Sequence, residues 1–223
     1  MLTFSYGGFA GVLFLLPLFL QGLGGLTAFE SGLTTFPQAI GVMISSQIAG
    51  RLYHRVGPRR LIFGGLIGVA VISGMFVFLT LDTDLWSIRG LLFLRGVCMA
   101  FSFVPLQAAT YANVSPADTG RASALYSCQR QVAAALGVAT LATIWISRTN
   151  ALTSGLVTES ELTAARLAGF HDAFLAAAVI AVIGALSALL IRDSDAASTI
   201  RRPGSAAALT RSEAADDRTA ATH

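Results

Sequence analysis

From Ser31 to Gly50, and again from Leu61 to Leu81, no side chain carries a charge. A helix buried in a soluble protein does not need such purity. One crossing a bilayer does, because a charge at mid-membrane costs about 2.5–3.5 kcal/mol on the translocon scale. Each stretch has roughly the 20 residues that a helix rising 1.5 Å per residue needs to span a hydrocarbon core. Between them lies Gly50-Arg51-Leu52-Tyr53-His54-Arg55-Val56-Gly57-Pro58-Arg59-Arg60. A short basic connector between two apolar segments is expected on the cytoplasmic side, where arginine near span ends is retained.

The rest of the chain is written in the same way. Hydrophobic residues make up 54% and charged ones 12%, with a mean hydropathy of +0.69. Soluble domains carry about twice that charged fraction, so the fold class is an all-α membrane protein. The net charge of +3 comes from arginine alone, since there is no lysine. Most of these arginines sit in connectors and tail at span ends, which argues against a nucleic-acid partner and for the lipid bilayer. Cys98 and Cys128 lie inside apolar segments and read as small buried hydrophobes, neither a disulfide nor metal ligands. No basic region precedes the first apolar run, so it reads as a span rather than a cleaved signal.

Six transmembrane helices are expected, at residues 4–20, 31–50, 61–81, 86–111, 122–146 and 170–191. Together they form one domain over residues 1–191, followed by an aperiodic tail at 192–223 expected to be disordered and cytoplasmic. Gly7 with Gly11, and Gly64 with Gly68, have the small-xxx-small spacing that lets helices approach closely. Thr34, Gln38, Gly41 and Ser45 form a polar or small stripe, which serves either as helix-packing glue or as cavity lining. Thr158 and Glu161 have capping-box spacing, which predicts a short surface helix before the last span. With the basic connector inside, both termini are inside. Arg51, Arg55, Arg59, Arg60, Arg121 and the arginines of the tail then share that side, leaving only Arg148 and Arg166 on the connectors outside.

Arg95 and Arg130 fall well inside spans. Either each snorkels to its nearer interface, or both face a polar interior and meet a carboxylate, a carbonyl or an anion. No Asp or Glu lies in the interior of any expected span, since Glu30, Asp82, Asp84, Asp118 and Asp172 all sit at span edges. A carboxylate partner within the membrane would therefore have to come from another polypeptide or from a missing half. His171-Asp172 is either an interfacial helix start or a protonatable pair at the outer edge. Hydrolase, zinc-protease and nucleotide-binding motifs are absent, which argues against an enzyme. Gln38, Arg95, Gln107, Tyr126 and Arg130 are the candidates for lining a substrate pathway.

The basic connector resembles the signature loop of the major facilitator superfamily, Gly-x-x-x-Asp-Arg-x-Gly-x-Arg-Arg. Gly50, Arg55, Gly57, Arg59 and Arg60 match it, and His54 stands where the family usually has Asp. Leu92-Phe93-Leu94-Arg95-Gly96 with Pro105 is similar to the fourth helix of a six-helix half. Gly120-Arg121-Ala122-Ser123-Ala124, Arg130-Gln131 and Leu136-Gly137-Val138-Ala139 look like the C-terminal half of the fourteen-span drug:proton antiporters. So do Phe19-Leu20-Gln21, Gly32-Leu33 and Pro37. The resemblance implies one half of a major-facilitator-type fold in the cell membrane. It further implies a secondary transporter that exports small amphipathic compounds by alternating access, with the proton as coupling ion and no other cofactor. The partner would be an N-terminal half or another membrane chain, and the residues from Gly50 to Arg60 would form a cytoplasmic gating loop. A non-transporting scaffold, or an inactive fragment that pairs with another membrane chain, is the alternative.

Overall fold

The structure, a computed structural model, describes residues 2–81, 83–111, 114–155 and 158–190. The tail expected to be disordered lies outside them. Among the described residues six long helices make up the bundle: α1 (Leu2–Gly22), α2 (Ala28–Val56), α3 (Pro58–Met75), α4 (Leu85–Tyr111), α5 (Thr119–Thr153) and α6 (Glu159–Ala188). The chain is thus an all-α membrane protein. Five of the helices are long and apolar enough to cross a bilayer, and α2 is the exception.

The physical reason lies in where α2 keeps its polar groups. Ser31, Thr34, Gln38 and Ser45 are buried inside the bundle, while Phe29, Leu33, Phe36, Met43, Ile44 and Ile48 point outward. The helix is inside out compared with one on a soluble surface, and its polar stripe lowers its mean hydropathy without exposing polarity to lipid. The Thr34–Ser45 stripe therefore faces protein, which is the helix-packing reading of the two that its spacing allows.

Several boundaries differ from the sequence expectation. The basic stretch is not a loop: α2 continues through Arg51 and Arg55 to Val56, and α3 starts at Pro58. Only Gly57 breaks the helix. Its φ of 86° is a left-handed value that suits glycine, its N–H closes α2 onto the Tyr53 carbonyl at 3.1 Å, and Pro58 opens α3 without needing a donor. The last span and the predicted short helix are one continuous α6. Thr158 stands at its N-cap but makes no side-chain cap bond. The capping box that does form is Thr27–Glu30 at the start of α2, where the Glu30 carboxylate accepts from the Thr27 backbone N–H at 2.9 Å. That bond, followed by the one from the Thr27 hydroxyl, holds the exposed Glu30 carboxyl below its usual value of 4.5.

Packing fixes the relative directions. At one end of the bundle Phe19 of α1, Phe76 just past α3, and Phe170 and Phe174 of α6 interlock. Ring centroids are 5.5 Å apart for Phe19–Phe170 and 5.3 Å for Phe76–Phe174. At the other end Ile62, Leu66, Leu106, Ala185 and Ala188 meet. Residues early in α1 and α3 thus lie beside residues late in α4 and α6, so the first pair runs against the second. His171 Nε2–H donates to the Leu79 carbonyl at 2.8 Å, and Asp172 accepts from Arg148 Nε–H at 2.7 Å, which fastens α6 to the segment after α3 and to α5 at the aromatic end.

Two helix crossings lie nearer the interior, and both are glycine-made. A Cβ on Gly41 would strike the Phe93 carbonyl and one on Gly96 the Gln38 carbonyl, so α2 and α4 touch backbone to backbone. A Cβ on Gly137 would strike the Gly7 backbone, and one on Gly7 would stand 3.0 Å from the Ala133 carbonyl. Hence α1 and α5 meet in the same way. Gly11 joins that crossing, as its spacing from Gly7 predicts. The Gly64–Gly68 expectation holds for one member only: Gly68 packs against Cys98 of α4, whereas Gly64 faces open space and Gly65 takes the second close contact, against Cys98 and Ser102.

Candidate functional site

The structure sorts the candidate pathway residues into two groups. Gln38 and Arg95 belong to the α2/α4 crossing. Arg95 lies on the stripe Ile88, Leu92, Arg95, Met99, Ser102, which faces the bundle interior, and it is 0% exposed. No hydrogen-bond partner reaches its Nε or either terminal nitrogen among the described residues. The Gln38 amide, one helical turn along the same interface, donates to Met99 Sδ at 3.5 Å. Snorkelling therefore fails for Arg95: the side chain is enclosed by protein rather than stretched to an interface.

Tyr126, Arg130 and Gln107 belong to a second region, where α1, α4 and α5 meet. The Tyr126 hydroxyl lies 2.9 Å from that of Tyr6 on α1. Phe103 of α4 stacks flat on Tyr6 at 4.5 Å, and Tyr111, two turns further along α4, lies 5.7 Å from the Tyr126 ring. Gln107 stands midway between Phe103 and Tyr111 on the same helical face and is exposed. Arg130 is exposed too, with its guanidinium 5.9 Å from the centre of the Tyr6 ring, a cation–π separation. It lies about 16 Å along α5 from Thr119 at 1.5 Å per residue. An arginine at that depth is tolerated where its face meets water or protein rather than lipid.

The helices supply the geometry for ordinary reasons. Gly7 and Gly137 let α1 and α5 close until Tyr6 and Tyr126 touch. The i, i+4, i+8 spacing of Phe103, Gln107 and Tyr111 puts one ring on each side of the amide. Tyr6, Phe103 and Tyr111 were missed from sequence because an aromatic in an apolar run reads as core or lipid contact. The available signal was the pairing of that spacing on α4 with Arg130 on α5. One side of α5 is split: Tyr126, Ala133 and Gly137 are buried against α1, whereas Ser123, Ser127 and Arg130 remain open.

The residues expected to form a gating loop are placed differently from a loop. Gly50 and Arg55 lie in the closing turns of α2, and Arg59 and Arg60 in the first turn of α3. The backbone of His54 is in α2, and its side chain lies outside the described residues. A Cβ on Gly50 would meet open space, so no close helix approach requires that glycine. Arg55 sits favourably at a helix C-terminus. Arg59 and Arg60 oppose the dipole of α3 at a cost of about 0.3–1 kcal/mol each.

Known proteins share this pattern. A model of the Major Facilitator Superfamily matches residues 1–138. An uncharacterized MFS-type transporter of Bacillus subtilis, YhcA, is 33% identical over 137 residues, covering 61% of this chain and 26% of the relative. The multidrug resistance protein B homolog of Mycobacterium tuberculosis is 30% identical over 139 residues, again 61% of this chain and 26% of its own length. The lincomycin resistance protein LmrB of Listeria monocytogenes is 30% identical over 181 residues, covering 80% of this chain and 38% of the relative. The chain thus spans about a quarter to two fifths of the length of these relatives.

Proposed function

This chain belongs to the major facilitator superfamily, and from that premise we propose that it forms one six-helix wall of a secondary transporter that exports small amphipathic compounds. The wall works with a second membrane-spanning half, either another part of the same protein or a separate chain. The two rock about a shared site by alternating access, driven by proton entry. The single observation that carries the reading is the cluster of Tyr6, Phe103, Gln107, Tyr111, Tyr126 and Arg130 at the junction of three helices, open at Gln107 and Arg130. It offers flat apolar surface beside polar groups, which is what an amphipathic cargo needs. The names of the relatives, two of which concern resistance to drugs or to lincomycin, support export as the direction.

Arginine placement supports the orientation. Arg51, Arg55, Arg59 and Arg60 surround the Gly57 break, and Arg121 opens α5 beside Asp118 at 3.8 Å. With these inside, both termini are cytoplasmic and the interlocked phenylalanines lie toward the outer face of the cell membrane. The coupling proton needs a titratable group, and none of the carboxylates among the described residues lies near the cluster. That group is therefore assigned to the other half.

Transport in vesicles tests the reading. The chain is inserted alone and together with the N-terminal half of a fourteen-span drug transporter, and efflux of a fluorescent amphipathic dye is followed under an imposed pH gradient. Gradient-driven efflux is expected from the pair and not from the chain alone. Export by the monomeric chain would overturn the one-wall reading, and absence of transport from the pair would overturn the transporter reading.

A further inference from the structure

The charge and donor inventory of the cluster points to the kind of compound this wall accepts. We propose that the Tyr6–Phe103–Tyr111–Tyr126–Arg130 cluster takes planar aromatic anions, and disfavours the aromatic cations that its rings alone would attract. The proposal rests on the transporter reading for its physiological meaning, but the binding it describes stands by itself.

The cluster has many donors and few acceptors. Arg130 brings five N–H donors in a planar fork and no acceptor. In the Tyr6–Tyr126 pair, 2.9 Å apart, one hydroxyl donates to the other, which leaves one O–H free to donate. Gln107 contributes an amide on the same face. A carboxylate placed between Arg130 and the tyrosine pair would use these donors in a charge-assisted, bidentate arrangement. Its ring would lie among Tyr6, Phe103 and Tyr111. An ammonium group at the same place would be repelled by the Arg130 guanidinium, which already holds the cation position over the Tyr6 ring at 5.9 Å.

No carboxylate of this chain neutralises Arg130 among the described residues. Asp118 lies about 18 Å back along α5 at 1.5 Å per residue, where it meets Arg121 and the Ser115 hydroxyl. Asp172 is held by Arg148 at the aromatic end, and Glu30 by Thr27. Asp84 precedes α4 at its far end from Tyr111, and Glu159 and Glu161 lie in the first turn of α6. An open cation with no counter-ion among the described residues of this chain, set against stacked rings, is available to an anionic ligand.

The test uses three probes of one shape, 2-naphthoate, 2-naphthylmethanol and 2-naphthylmethylammonium, with the full chain in lipid nanodiscs at neutral pH and binding followed by equilibrium dialysis. Naphthoate is expected to bind at least tenfold more tightly than the ammonium, with the alcohol between them. Arg130→Gln should abolish the preference, and Arg130→Lys should keep it while weakening binding. Equal or tighter binding of the ammonium by the unaltered chain would overturn the proposal whether or not any variant folds. So would naphthoate binding that is unchanged in a folded Arg130→Gln chain. Dye efflux by the paired halves together with ammonium preference would sink this inference and leave the transporter reading standing. Arg130-dependent naphthoate binding without transport would do the reverse.

Discussion

The α2/α4 and α1/α5 crossings use one device for different ends. Each brings two backbones into contact through a pair of glycines, Gly41 with Gly96 and Gly7 with Gly137. Each also keeps an arginine close by. At α2/α4 the arginine is sealed: Arg95 is 0% exposed and its nitrogens have no partner among the described residues. At α1/α5 the arginine is open, and Arg130 lies exposed over the Tyr6 ring. Position within a span therefore does not assign a role to a charged residue. What surrounds the side chain decides whether it is a strained interior group or part of a binding face.

The largest effect should come from breaking the crossings themselves. Gly96→Leu and Gly137→Leu each drive a side chain into a facing backbone that cannot yield, at a cost of about 3 kcal/mol or more. Unfolding of purified chain in mild detergent should show both variants lost or strongly destabilised, while Gly64→Leu, facing open space, should unfold like the parent. If the three behave alike, the backbone contacts are not what holds the helices together.

The next largest effect separates the two arginines. An unpartnered guanidinium enclosed by protein costs several kcal/mol, and replacing buried charge by an apolar group of similar volume often stabilises by about 1–4 kcal/mol. Arg95→Met should therefore raise the unfolding midpoint, whereas Arg130→Met should move it by less than about 1 kcal/mol, the scale of an exposed cation–π contact. A destabilised Arg95→Met chain would mean that the sealed arginine has a partner after all, and the contrast between the crossings would collapse.

Smaller still are the single polar contacts near each crossing. Tyr126→Phe removes the bond to Tyr6 and should cost about 1 kcal/mol. Gln38→Leu gives up only a 3.5 Å bond to sulfur and should cost less. Thermal unfolding ranks the two, and the reverse order would make the α2/α4 crossing the more polar-dependent one.

The last effect concerns the entry to α2. Glu30 has its carboxyl held below 4.5 by Thr27, so its contribution is present above that pH and fades as pH falls through the lower folded value. Thr27→Ala should therefore weaken the chain at pH 7 and have less effect near pH 3. An unfolding series across that range checks the sign.

Much of the architecture could be read from residues. Uncharged runs located the helices, and the stripe Thr34, Gln38, Gly41, Ser45 indicated which side of α2 faces protein. The boundaries were less readable at the basic stretch, because arginine is a good helix former and the helix runs on until a residue needs positive φ. Only Gly57 does. The α6 start was missed for a related reason: a capping signal before an Ala-rich run does not say whether the helix stops before the apolar part. For the site, Arg130, Tyr126 and Gln107 stood out as polar residues in apolar surroundings. Tyr6, Phe103 and Tyr111 acquire meaning only from partners on other helices, which no local pattern shows. The separation of Arg95 from Arg130 is likewise a fact of tertiary packing.

Solvent access in the membrane tests that separation directly. In a chain with Cys98 and Cys128 replaced by alanine, Ser127→Cys reports the open face one turn from Arg130, and Met99→Cys reports the sealed stripe one turn from Arg95. A charged, membrane-impermeant maleimide reacts with a thiol only where water reaches it. The Ser127→Cys chain should be labelled at least tenfold faster than the Met99→Cys chain, whose thiol should react only after unfolding. Equally fast labelling of the two variants, or protection of both, would contradict the account.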